Sequence, residues 1–124
     1  MLEEGARESP AEGTTGTGGE RLVCARCGHT VTDSAARTEI DGRHQHTGVN
    51  PGGHVHHFSC YSRAPGCAPA GPPSAEWSWF PGRSWQVQIC RGCQIHLGWL
   101  FTGEGAPFYG LLTAAVVPAS DWRR

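Results

Sequence analysis

A chain of 124 residues sets one domain as the prior, and ten basic against eleven acidic residues exclude the charge density of a nucleic-acid binder. Leu, Ile, Val and Phe number only 20, thin for a core, while 18 Gly and 9 Pro disfavour long helices. No apolar run reaches the about 18 residues of a membrane span, and the N-terminus lacks a signal-peptide layout, so a cytoplasmic protein with no membrane partner is expected.

Residues 1–20 carry five Glu, one Arg and almost nothing apolar, and read as a disordered acidic tail before a domain over 21–124. Residues 21–23 lead as a strand into Cys24. Residues 33–37 suit one helical turn, and 38–40 and 55–58 are weak strand candidates. Residues 63–75 are too rich in Pro and Gly for a regular element. Residues 84–89 alternate strictly and form the clearest strand, followed by 95–101 and by 111–117, which Pro118 stops. Short strands with dense turn signals predict an antiparallel all-β domain.

Cys24-Ala-Arg-Cys27 and Cys90-Arg-Gly-Cys93 are two CxxC units, which point to one structural zinc held by Cys24, Cys27, Cys90 and Cys93. Gly28 and Gly92 are expected to supply the tight turns. Two disulfides, or a redox CxxC, are the alternatives; the latter normally opens a helix in a βαβ unit, which is missing here. Cys60 and Cys67 remain as free or partly buried thiols. His54, His56 and His57, like His29, His44, His46 and His96, read as surface or loop histidines, although alternation puts His54 and His56 on one face.

Trp77, Trp79, Trp85 and Trp99 fall within a short stretch. If the second CxxC closes a hairpin, Trp85 lies almost directly across from Trp99, with Phe101 on the same face. Phe80-Pro81-Gly82-Arg83 suits a type II turn that returns Trp79 towards Trp85. Three indoles can then converge, either as an aromatic core or as a ligand cage beside the cysteines.

Glu76-Trp77-Ser78-Trp79-Phe80-Pro81-Gly82, Trp85, Cys90-x-x-Cys93 and His96-x-Gly98-Trp99-x-Phe101 together resemble the thalidomide-binding (CULT) domain family of cereblon. Asn50-Pro51, Val55-His56, Gly110-Leu111 and Val117-Pro118 fit the same pattern, so the resemblance covers residues 21–118. The length resembles that of a bacterial single-domain member. The resemblance implies a β-tent, two antiparallel sheets at a steep angle pinned by the four-cysteine zinc site. It implies a cage of Trp79, Trp85 and Trp99 over an aromatic floor, Phe101. The ligands implied are small-molecule cyclic imides, such as the glutarimide of thalidomide-type drugs, uracil-like rings and C-terminal cyclic-imide ends of proteins. Backbone groups of the stretch Trp77, Ser78 and Trp79 would hold the imide, and the loop at Asn50 and Pro51 would cover the ring. Trp77 stands where eukaryotic members commonly carry His, so the backbone bonds transfer and a side-chain bond does not. The Lon-like and adaptor-binding segments of those members have no counterpart here, so no ubiquitin-ligase adaptor is expected. No catalytic residue is assigned. The alternatives are a cage for methylated ammonium groups, with Glu76 as its negative charge, and a methionine sulfoxide reductase B-like enzyme using Cys60 or Cys67.

Overall fold

Alternating, β-branched and aromatic runs bounded by Gly and Pro favour strands over helices, and strands dominate. A computed structural model of the protein describes residues 19–123. Its strands are β1 (Arg21–Cys24), β2 (Thr30–Asp33), β3 (Gln45–Val49), β4 (Val55–Tyr61), β5 (Cys67–Pro69), β6 (Arg83–Cys90), β7 (His96–Gly103), β8 (Phe108–Leu112) and β9 (Val116–Pro118). They form two antiparallel sheets, in the orders β2-β1-β9 and β3-β4-β8-β7-β6-β5. Among the described residues, only 3-10 turns at Ser34–Ala36 and Ala119–Asp121 are helical. Asp33 caps the first, its carboxylate accepting from the Ala35 N–H at 2.9 Å. Among the described residues no helix is long and apolar enough to cross a membrane.

The two sheets bury two clusters. One gathers Leu22, Val31, Tyr61, Leu97 and Leu111 around the cysteines. The other is aromatic, with Phe58, Phe80, Trp99, Phe101 and Phe108 buried together. Aromatic rings thus supply the apolar volume that the few aliphatic residues cannot.

Four strand expectations change. The predicted strand 111–117 is two strands in different sheets, β8 and β9. The Ala115 N–H turns back onto the Leu112 carbonyl at 3.0 Å, and the chain then leaves to pair Val116 with Cys24. Residues 38–40 form no strand and lead into a turn over 40–43: Asp41 and Gly42 have φ of 54° and 79°, and Ile40 and Arg43 exchange both backbone hydrogen bonds. Residues 63–75 do hold a strand, β5, at the edge of the large sheet, where Pro69 lacks a donor at little cost. Strands β2 and β3 escaped sequence reading, because β3 is mostly polar and gains its place by pairing with β4.

Most of the acidic segment 1–20 lies outside the described residues. Glu20 lies within them and is tied to the body. Its N–H donates to Ser34 Oγ at 2.8 Å, and its carboxylate accepts from Ser120 Oγ at 2.6 Å.

Candidate functional site: a four-cysteine centre beside an aromatic cleft

Each CxxC unit folds into the same knuckle. The Gly28 N–H returns to the Cys24 carbonyl at 2.8 Å, and the Gln94 N–H returns to the Cys90 carbonyl at 2.8 Å. Both returning residues are left-handed, with φ of 81° at Gly28 and 67° at Gln94. Gln94 therefore takes the turning role expected of Gly92. Gly92 is small for another reason: a Cβ there would meet Cys27 Sγ at 3.2 Å and His29 Cβ at 3.0 Å.

The knuckles bring four free thiols together, with all Sγ atoms within 4.8 Å of one another. Cys24 and Cys93 are separated by 3.7 Å, as are Cys27 and Cys90. A disulfide would need about 2.05 Å. A tetrahedral ion with metal–sulfur bonds of about 2.3 Å sets its sulfurs about 3.8 Å apart, which the observed spacing fits. Burial pushes the Cys24 thiol up to about 12, whereas the Ile95 N–H holds Cys93 below the usual thiol range. A cation would offset the cost at Cys24. Trp122, outside the sequence expectations, covers the first knuckle: its Nε1–H donates to the Ala25 carbonyl at 3.2 Å, and a Cβ on Gly28 would meet its ring at 2.8 Å.

The hairpin β6–β7 leads from the second knuckle to the cleft. Its register pairs Trp85 with Phe101 and Val87 with Trp99. A bulge between Gln88 and Ile89 moves the pairing away from the expected Trp85–Trp99 match. The faces survive, because the shift keeps Trp85, Val87, Trp99 and Phe101 on one side. The turn at 80–83 is closed by the Arg83 N–H to the Phe80 carbonyl at 3.0 Å, with Gly82 at φ 83°. It returns Trp79 to the hairpin. Trp79 meets Trp99 edge-on at 5.0 Å and stacks on Phe58 at 5.4 Å. The indole N–H groups anchor the rings: Trp79 Nε1–H donates to the Val49 carbonyl at 3.1 Å, and Trp85 Nε1–H to the Glu76 carbonyl at 2.7 Å.

These rings border a cleft of about 620 Å³, large enough for a small cyclic ligand. Asn50, Pro51, Trp77, Trp79, Trp85, Trp99 and Phe101 line it. Ser78 is not in its wall; its hydroxyl donates to the Phe80 carbonyl at 3.1 Å, inside the turn. Trp77 is 66% exposed at the rim and left-handed, with φ 63°, a strained setting for a bulky side chain. Among the described residues, nothing bonds to the Trp77 carbonyl or the Trp79 N–H. His56, Ser74, Glu76, Val87 and His96 also line the cleft. The alternation around His56 hinted at its face, but nothing local in the sequence placed His96 beside it.

Cys60 and Cys67 lie apart in the two buried clusters. Burial pushes both thiols up to about 12, so neither is a ready nucleophile for a sulfoxide reductase.

Fold and site together define a class: an all-β domain with a four-cysteine cluster able to hold a metal and an aromatic cluster bordering a cleft. No family model matches the chain. Protein cereblon of Gallus gallus is 40% identical over 75 residues, 56% of this chain and 17% of that protein. Protein cereblon of Xenopus tropicalis gives the same identity and coverage, and that of Drosophila persimilis is 40% identical over 76 residues, 54% of this chain and 12% of that protein. The chain thus spans under a fifth of the length of these curated relatives. It carries a cereblon-type (CULT) domain.

Proposed function

We propose that this domain is a zinc-stabilised binding module whose Trp79, Trp85 and Trp99 cage takes cyclic imides, and that it is not an enzyme. Zinc follows from the donor set, since four thiolates in a tetrahedron suit zinc and leave no open position for chemistry. The ligand class follows from one observation above all: three indoles border a cleft also lined by Trp77, and among the described residues the Trp77 carbonyl and the Trp79 N–H have no hydrogen-bond partner. An imide is flat and apolar on both faces, and it presents an N–H donor beside carbonyl acceptors. Its N–H would reach the Trp77 carbonyl and one carbonyl the Trp79 N–H, while Phe101 forms the floor and the Asn50–Pro51 loop covers the outer part. Free glutarimides, related uracil-like rings and cyclic-imide C-termini of proteins all present this edge. Glu76 in the wall favours the second reading, a cage for methylated ammonium ions.

Calorimetry with glutarimide, N-methylglutarimide and trimethyllysine separates the two. Glutarimide has about eight heavy atoms, and at roughly 0.8–0.9 kcal/mol per atom it would bind with a Kd on the order of 10 μM. N-methylation removes the donor and strands the acceptor, at a cost of about 1–3 kcal/mol, so affinity should fall roughly five- to 150-fold. Equal affinity for the two imides rejects backbone recognition. Binding of trimethyllysine alone makes the cage a cation site.

A further inference from the structure

Two histidines that the indole cage does not explain stand in the cleft wall, His56 on β4 and His96 on β7. Both rings meet the same indole nearly edge-on: His56 lies 5.3 Å from Trp99 at 73°, and His96 lies 5.1 Å away at 85°. Their hydrogen bonds assign the neutral tautomers. His96 Nε2 is 3.0 Å from the Gly98 carbonyl, which can only accept, so Nε2 carries the hydrogen and Nδ1 is the acceptor. Asn50 Oδ1 accepts from the His54 N–H at 3.0 Å, which turns Asn50 Nδ2 towards His56 Nε2 at 3.4 Å. His56 Nε2 is then the acceptor, and Nδ1 carries the hydrogen.

Few charged groups surround the pair. Glu76 is the one carboxylate residue among those lining the cleft. Arg26 and His57 border His56 from the adjoining groove, and His54 sits in the loop that orients Asn50. Burial lowers the pKa of His96 from its ordinary value, and the neighbouring His56 lowers it further, against the Gly98 carbonyl that supports the charged form. With its imidazoles neutral this wall carries no charge, and the carboxylate residue of the lining is Glu76. An anion entering the cleft would lose solvation and find no counter-charge. Once an imidazole is protonated, the same wall offers a charge-assisted donor to a carboxylate.

We propose that His56 and His96 act as a charge selector: with both neutral the cleft takes an intact uncharged ring, and with either protonated it takes the ring-opened, carboxylate-bearing form of that ligand. The selector rests on the imide reading of the cage. For a glutarimide the ring-opened form is glutaramate, whose carboxylate stays ionised at pH 5.5 because free carboxyls titrate near about 4.3.

The test is calorimetry of the full chain, metal-loaded at both pH values, with glutarimide and glutaramate at pH 7.5 and 5.5. Glutaramate should bind about tenfold more tightly at pH 5.5 than at pH 7.5, and glutarimide at least about threefold more weakly, each tenfold corresponding to one unit of linked histidine pKa. His56→Gln and His96→Gln, each checked for a cooperative melt, should each weaken the glutaramate response, and the double variant should flatten it. An NMR titration of the imidazoles in the unaltered protein gives the same readout without a variant: saturating glutaramate should raise their pKa values. A glutaramate affinity that ignores pH, or imidazoles that titrate identically with and without it, overturns the selector while glutarimide binding stands. Failure of glutarimide to bind at either pH overturns the imide reading and the selector with it.

Discussion

Trp79 lies directly over Gly48. A Cβ built on Gly48 would overlap the indole ring, and the same indole donates its Nε1–H to the carbonyl of Val49 at 3.1 Å. One cage wall thus rests on bare backbone of β3, which explains a buried glycine inside a strand. Gly48→Ala should push Trp79 off its stack with Phe58. Overpacking of this kind costs roughly 1–3 kcal/mol, so a modest fall in Tm is expected, with at least about tenfold weaker imide binding and unchanged metal content. Unchanged affinity in calorimetry would show that Trp79 is not a wall of the site.

Trp99 and Trp79 should separate binding from stability. Trp99 is 8% exposed and touches Phe58, Trp79, His56 and His96, whereas Trp79 is half-buried. Large-to-small aromatic substitutions in cores cost about 3–5 kcal/mol. Trp99→Ala should lower Tm clearly and Trp79→Ala less, both retaining a cooperative melt and both losing most imide affinity. Loss of the fold in Trp99→Ala together with full binding in Trp79→Ala would make the rings a plain aromatic core.

Removing the metal should unfold the domain. Structural zinc contributes an apparent 10–16 kcal/mol or so in small domains, against about 5–15 kcal/mol for whole-domain stability. A strong chelator, or Cys90→Ser, should abolish the cooperative transition in circular dichroism. A melt that persists with no bound metal would contradict the structural role.

Metal loading should release protons. Cys24, pushed up to about 12 by burial, is protonated at neutral pH without the ion and must lose its proton to become a ligand. Metal affinity should therefore fall as pH drops, and mixing the apo-protein with zinc in weak buffer should acidify it. Uptake of zinc without proton release would mean that the thiols are already ionised.

The boundary of the dispensable N-terminus can be set to a residue. Residues 1–18 offer no apolar side chains beyond Met1, Leu2, Ala6, Pro10 and Ala11, so their deletion should leave Tm and imide affinity unchanged. Deleting through Glu20 also removes its bonds to Ser34 and Ser120. At an exposed position these are worth about 1 kcal/mol or less, so a drop of a few degrees should appear only in the longer deletion. A loss of affinity on the shorter deletion would place the tail over the cleft.

Local chemistry in the sequence determined a good part of this protein. The CxxC spacing sets both knuckles, Pro81 and Gly82 set the turn that returns Trp79, and strict alternation sets the common face of Trp85, Val87, Trp99 and Phe101. Each depends on neighbours a few residues away, so composition and period suffice to read it. Other features were settled only by the tertiary structure. The bulge that sets Trp85 against Phe101, the crossing of 113–115 from one sheet to the other, and the split of Cys60 and Cys67 between two buried clusters all depend on which strands pair. His56 and His96, forty residues apart in the chain, share an indole only because β4 and β7 both pair with β8. Gly48 beneath Trp79 is the same case. Contacts between residues so distant in sequence leave no periodic trace, because what brings them together is the burial of the sheets and not the propensity of either segment.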